Sequence, residues 1–468
     1  MQTITNLQMD ANKNLEGATK KGGHVSPDGA SSKMMRVVFV SLLLDLVAFA
    51  MILPLFPVLL DYYGRIDQGG LYGTLQTSVN GFRAMVGAPD TPKWNAVLFG
   101  GLIGSMFSFL QFLAAPLMGA ASDVYGRKPL MILSAVGIAT SYALWAVSST
   151  FTIFVIARVM AGVSKGNISL STAIVADVAP PEKRGKGMAL IGIAFSIGFL
   201  IGPMIGAYFS AQSKGQEGMF FVAPALFALL LATLDVFFLV FFMKETLPLE
   251  RRAKKTENVI AQAVSLINPV ALFKFSAVRS ISKEDVGVLR QVGVVYFLYL
   301  FLYSGLEFTL TFLTYNRFDF NSMDQGRMFF VIGVTMIIVQ GGIVRRFPPG
   351  KEVKFAMRGL VVLIPSFLII GVAHSKKLLY VGIVLYSFAS AIVVPCLTSL
   401  VSSYGTPDQK GTVMGIFRSL GAMARALGPV LACTIYWCFG ALTCYTLGAI
   451  ALVVPCVLLA RVKVTHTD

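Results

Sequence analysis

Seven ionisable side chains stand inside long apolar stretches of this 468-residue chain: Asp45, Arg158, Lys165, Asp235, Glu307, Arg418 and Arg425. A charge at the centre of a membrane helix costs about 2.5–3.5 kcal/mol on insertion scales, so each needs a partner or a watery cavity. Arg158 and Lys165 are seven residues apart, on one helical stripe with Gly162 between them, and Ser169 and Thr172 extend that polar face. Arg418 and Arg425 repeat the offset. At about 1.5 Å rise per residue, Lys165 and Arg425 fall near mid-depth. One belongs to the first half of the chain and one to the second, so together they can clamp one anion. The arginine would offer a bidentate fork and the lysine a point charge. Four cations stand against three carboxylates, and an anionic guest would neutralise the excess. The competing arrangement is internal: Asp45 or Asp235 paired with Arg158 or Lys165, and Glu307 with Arg425. Arg418, nearer the cytosolic end, can snorkel.

Asp45 and Glu307 lie near the middle of the first span of each half. A carboxyl group held in an apolar setting is a candidate proton carrier, and Asp235 is a third. Protonation favours an anionic guest and deprotonation a cationic one, so symport, exchange and antiport all stay open. Gln111 and Gln340 occupy roughly corresponding places in the two halves, and Tyr303 follows Tyr296 and Tyr299 along one stretch. Such side chains either pack or supply the few polar anchors of an apolar pocket.

The elements that hold these groups follow from composition. The chain is 56% hydrophobic and 13% charged, with mean hydropathy +0.73, against about 25% charge in soluble domains. A string of soluble domains is excluded. A spanning helix needs about 20 apolar residues, and twelve such segments are read at 36–60, 96–122, 129–149, 152–178, 186–210, 219–243, 291–316, 326–345, 356–373, 378–402, 411–436 and 438–461. The expected fold is an all-α membrane protein with two six-helix bundles, 36–243 and 291–461. A cytosolic linker, 244–290, joins them, with a short amphipathic helix expected over 259–275. A disordered cytosolic tail is expected over 1–35 and a second tail over 462–468. Repeats of this kind place binding sites near the bilayer midplane.

The net charge of +16 is a topology signal. Placing the termini in the cytosol puts most of the 39 lysines and arginines in cytosolic segments, as the positive-inside rule demands. Spread over separate loops, they form no nucleic-acid face. The polar start of the chain shows no cleavable signal peptide. The plasma membrane is the default destination, with an internal membrane as the alternative. The loop 61–95 is expected to carry a surface helix with Val79, Phe82, Met85 and Val86 on one face. Five cysteines, an odd number confined to apolar segments, exclude a secreted disulfide scaffold.

Three motifs name a family. The loop from Gly119 through Asp123, Gly126, Arg127 and Lys128 to Pro129 resembles the loop signature of the major facilitator superfamily, departing from it at Val124. Arg158, Gly162 and Gly166 resemble that family's fourth-helix motif. Gly192, Gly198, Gly202, Pro203 and Gly206 are similar to the glycine-proline motif of its drug/proton antiporter branch, as is the exit through Glu245 to Pro248. Residues 71–73, 166–172 and 411–415 draw the chain toward the animal tetracycline-transporter-like members, a branch associated with organic anions. The resemblance implies that Asp123, with Arg127 and Gly119, latches the cytosolic side against the start of the eleventh span near Gly411. Residues 340–346 carry no acidic residue, so no second latch is expected. Gly198, Gly202 and Gly206 allow close helix packing and Pro203 a bend, which suits a gate or hinge as well as plain packing.

The expected activity is secondary active or facilitative transport of small amphipathic organic anions by alternating access, with protons as a possible coupling ion and the protein a monomer in the bilayer. Antiport of cationic drugs and a non-transporting receptor or scaffold are the alternatives. No enzyme is expected. His24, His374 and His466 lie in tails or loops, no phosphate-binding loop occurs, and no catalytic group, cofactor or metal is called for.

Overall fold

The computed structural model describes residues 27–86, 92–179, 181–212, 221–252, 267–276, 278, 282–348, 350–404 and 410–462, and no strand occurs among them. Eleven helical stretches are long and apolar enough to cross a bilayer. The last, Val413–Ala460, has 48 residues. At about 1.5 Å per residue this is more than twice the ~30 Å hydrocarbon core. It turns at Gly440, whose φ of 82° is open to glycine but strained for other residues, so it supplies two crossings and brings the count to twelve. With an even number of crossings both termini lie at one end, called the base here; the opposite end is the crown.

The first span runs as α1 (Pro27–Ala50), a short 3₁₀ turn (Leu53–Leu55) and α2 (Phe56–Ile66). Pro54 and Pro57 lack the N–H that would continue the ladder, which breaks the helix just beyond Asp45. The helix already begins at Pro27, so a disordered tail reaching to residue 35 is corrected; residues 1–26 lie outside the described residues. A surface helix, α3 (Leu71–Val86), follows as expected, although the side chains of Phe82, Met85 and Val86 are outside the description. Then come α4 (Pro92–Tyr125), α5 (Arg127–Ala146), α6 (Phe151–Ser164), α7 (Asn167–Val178), α8 (Pro181–Gln212) and α9 (Val222–Phe242).

The second half holds a short α10 (Pro269–Lys274), α11 (Lys283–Phe318), α12 (Ser322–Gly342), α13 (Glu352–Val372), α14 (Lys376–Ser403), α15 (Lys410–Ala451) and α16 (Val453–Ala460). Polar caps fix several starts. Asn321 and Asp324 form a reciprocal capping box before α12, satisfying two backbone donors. Most of the expected 259–275 helix lies outside the described residues. What is described is one and a half turns, with Leu272 and the following Phe275 buried and Val270 exposed.

The fourth span is not continuous. Lys165 caps α6 with ψ 50°, and α7 restarts after Gly166. The Ser134 hydroxyl donates to the freed Ser164 carbonyl, which replaces a lost backbone bond inside the membrane. Arg158 and Lys165 therefore share the α6 stripe, but Ser169 and Thr172 belong to a new helix, and the single polar face expected through all four is corrected.

Helix α8 has glycine contacts on two sides. Toward α1, a Cβ at Gly198 would lie 2.6 Å from Leu46 Cβ, and one at Gly202 2.6 Å from the Val47 carbonyl; Gly206 presses on the Met51 carbonyl. Toward α12, Leu200 and Ala207 receive Gly333 and Gly326. Two hydrogen bonds cross between the halves along this line. Ser196 Oγ donates to Gln340 Oε1 at 3.0 Å, and Ser210 to Ser322 at 3.2 Å.

Candidate functional site

In the first half, Lys165 Nζ lies 2.7 Å from both Asp45 oxygens, and both residues are 3% exposed. The ammonium also sits 4.7 Å over the Phe49 ring. That ring stacks on Phe107 at 5.4 Å, and Arg158 covers Phe107 at 4.8 Å. Two cations thus bracket a pair of stacked rings, which stabilises each by cation–π attraction, worth ~2 kcal/mol when desolvated. Asp235 lies close to the Asp45–Lys165 pair and faces Ser41, yet its Oδ1 has no hydrogen-bond donor. Arg158 is buried beside Tyr142, and its Nε is also without an acceptor.

The expectation of a free lysine is corrected here. A buried ammonium takes the nearest carboxylate because the unpaired alternative costs several kcal/mol, and the broken first span presents Asp45 at that depth. Two carboxyls and two cations then stand in this half, with no excess.

The second half differs. Glu307 Oε1 accepts from the Tyr386 hydroxyl at 2.8 Å and from Tyr303 at 3.2 Å. The two phenols are 2.6 Å apart and their rings stack at 5.3 Å. No ion pair joins Glu307 to Arg425. Instead, the Arg425 guanidinium lies beside Tyr296 and remains exposed. Arg418, on the same stripe, is partly buried, with an Nη1 lacking an acceptor. One carboxylate faces two arginines, so the positive excess of the spans is lodged here.

Packing around Arg425 sets its surroundings. One turn toward the crown, the Pro429 carbonyl and Cys433 close on Gly101, while Phe308 and Phe312 close on Gly104 and Gly100. Phe56 meets Phe308 edge-on at 5.8 Å. The crown is sealed there, with Arg425 immediately beneath. An exposed guanidinium at mid-span cannot rest in hydrocarbon and calls for a watery cavity. Of the remaining expected residues, Gln111 is partly buried on α4. Gln340 is committed to the seam with Ser196 rather than to the cavity.

At the base, Gly126 adopts φ 104°, a left-handed setting that favours glycine, and a Cβ there would collide with the Glu245 carboxylate. Arg127 then reaches Asp123 at 2.6 Å and Asp177 at 2.9 Å. Glu245 Oε1 accepts from the Arg127, Thr246 and Leu247 amides, and Oε2 from the Lys128 amide. Four spans of the first half are thereby tied at one point. Gly119 adds no tight contact. The expected partner of Asp123 near Gly411 cannot be placed, because residues 405–409 and the side chains through 412 are outside the description.

Three participants went unread in the sequence as site residues: Asp177, Phe49 and Tyr386. Asp177 had a signal, an acid four residues before Pro181 at the end of an apolar run. Phe49 and Tyr386 had none among so many aromatics.

Partial burial works to raise the Glu245 carboxyl, but the four backbone donors outweigh it and hold its pKa below the ordinary value. A lowered carboxyl stabilises the fold above its unfolded value, about 4.3. That contribution is lost as pH falls through the lower folded value. Glu245→Gln is therefore expected to melt at lower temperature than the parent at pH 7, with the gap closing only as pH falls below about 4.3. Melting curves in detergent check this; a gap of constant size would contradict the charge-based account.

Comparison with known proteins agrees with this architecture. Residues 38–429 match the Major Facilitator Superfamily. The human major facilitator superfamily domain-containing protein 10 is 51% identical over 92% of this chain and 93% of its own. The crystal structure of the human organic anion transporter MFSD10 (TETRAN) superposes with TM-score 0.78 at 50% identity, covering 92% of this chain and 99% of that one. The class B tetracycline resistance protein of Escherichia coli is 23% identical over 86% of this chain and 88% of its own.

Proposed function

The chain belongs to the major facilitator superfamily and is a multi-pass membrane transporter rather than an enzyme, and on that premise we propose that it carries small amphipathic organic anions by alternating access. The observation that carries the proposal is Arg425: an exposed guanidinium at mid-span, beneath a sealed crown, with Arg418 on its stripe and, among the described residues, no carboxylate in ion-pair contact. Tyr296 and Tyr303 supply rings with hydroxyl tips and Phe308 a purely apolar ring, which suits a guest that is part aromatic and part anionic. The human relative whose structure superposes here is described as an organic anion transporter, which supports the same class.

The halves 36–243 and 291–461 rock against each other, with 244–290 as the tether. The seams of α8 with α12 and of α4 with α15 are the surfaces that slide and part. The base, with its termini and basic loops, faces the cytosol, so the arrangement described is open inward. The working unit is a monomer and the plasma membrane its first expected site.

Coupling to protons rests on a separate observation. Asp45 is held by Lys165 and Glu307 by two phenols, whereas Asp235 keeps an orphaned oxygen beside the pair. A buried carboxyl without a donor is more cheaply held neutral. Asp235 takes the proton, Lys165 shifts between the two aspartates as the proton leaves, and the charge seen by the guest changes with it.

The test is uptake of a labelled aromatic carboxylate into proteoliposomes, with and without an imposed pH gradient. Saturable uptake that the gradient accelerates is expected. Exchange of cations with no anion flux would replace this reading by drug antiport, and no flux of either kind by a receptor or scaffold.

A further inference from the structure

At the base, the start of α11 and the end of α16 meet around a cleft of about 330 Å³ lined by Arg290, Gln291, Val294, Leu458 and Arg461. Among the described residues no carboxylate lines it. Both arginines are exposed, and among the described residues neither enters an ion pair. Arg290 is held in place by its Nε, which donates to the Lys274 carbonyl at 3.0 Å. Its two terminal nitrogens enter no ion pair among the described residues.

Below the arginines the walls turn apolar. On α16, Val454, Val457 and Leu458 share the face of Arg461 at helical spacing, and Val454 and Val457 are 52% and 45% exposed to the surroundings of the bundle. On α11, Val294, Phe297 and Phe301 descend from Arg290 in the same rhythm, each partly buried. Two cations, one of them held in place, thus stand at the helix ends above an apolar stripe.

We propose that this cleft binds one anionic phospholipid, with its phosphate between Arg290 and Arg461 and its acyl chains along Val294, Val457 and Leu458. The charge complements a phosphodiester, and Gln291 adds a donor for the glycerol or headgroup oxygens. The continuous apolar stripe is what selects a lipid over a free phosphate, which would gain nothing from it. Basic pockets between spanning helices at this depth are where acidic headgroups are recognised. The site uses none of the mid-span charges, so it stands whether or not the transported guest is an anion. An occupant here touches the first and last helices of the second half, and so sets how firmly that half sits in the membrane as it rocks.

The full-length protein in detergent is offered dioleoylphosphatidylglycerol and dioleoylphosphatidylcholine at equal concentration, and retained adducts are counted by native mass spectrometry. The parent is expected to keep one phosphatidylglycerol in preference. In Arg290→Gln with Arg461→Gln the preference is expected to fall about tenfold or more, while Arg290→Lys with Arg461→Lys keeps most of it. Arg461→Gln alone, in the last helical turn, provides the reading if the double variant does not fold. Equal retention of the two lipids by the parent overturns the proposal. So does an undiminished preference in the glutamine variants, or displacement by millimolar inorganic phosphate as efficient as by the lipid itself.

Discussion

Arg425→Ala is expected to remove organic-anion transport while leaving the folded protein intact. A charge-assisted hydrogen bond to the guest is worth about 1.5–3 kcal/mol. Losing it raises the concentration needed for half-maximal flux by roughly 10- to 150-fold. Stability is expected to change by less than about 0.5 kcal/mol, because Arg425 is exposed and, among the described residues, enters no ion pair that its removal would break. Arg425→Lys should recover part of the flux, since the charge remains but the bidentate fork is lost. The measurements are concentration-dependent uptake in proteoliposomes and melting temperature in detergent. Normal uptake by Arg425→Ala would remove the binding site from this residue.

Asp45 and Lys165 are expected to give the reverse pattern. Asp45→Asn leaves the Lys165 ammonium buried at 3% exposure without its carboxylate, and such half-broken pairs cost about 3–5 kcal/mol. Lys165→Met strands Asp45 to similar effect. Replacing both, as Asp45→Leu with Lys165→Met, is expected to return stability to near the parental level, since apolar substitutes for a buried pair are neutral or stabilising by up to about 4 kcal/mol. The double variant is then the informative one. If Lys165 shifts between aspartates during the cycle, it folds, reaches the membrane and no longer responds to a pH gradient. A double variant with gradient-driven flux equal to the parent would make the pair a structural clamp only. Single variants that melt with the parent would mean that the 2.7 Å pair contributes nothing.

These contrasting expectations show where local reading ends. That the spans carry one more cation than carboxylate was plain from seven residues, as was the shared stripe of Arg418 and Arg425. Whether a given charge is spent or available was not. Lys165 and Arg425 look alike in sequence: each is a mid-span cation seven residues from an arginine. One is locked to a carboxylate 120 positions earlier; the other lies beside a phenol and stays exposed. A Glu307–Arg425 ion pair was one of the arrangements left open, and the Glu307 carboxylate accepts from Tyr386, 79 positions away.

The sequence by itself determined the class of molecule, the spans, the family and the presence of a net positive charge within the membrane. These are properties of local windows: apolar length, composition, and glycines and prolines at fixed offsets act on the chain where they stand. The tertiary structure alone decided that the first half is internally neutral, that the excess lies on α15 beneath the Phe308–Phe312 seal, and that Glu245 caps the helix beginning at Arg127. Ion pairing at these depths depends on distances of a few ångströms between helices far apart in the chain. Those distances follow from two helix breaks, after Ala50 and after Ser164, and from the glycine seam along α8. A shift of one helical turn, about 5.4 Å, would part Lys165 from Asp45.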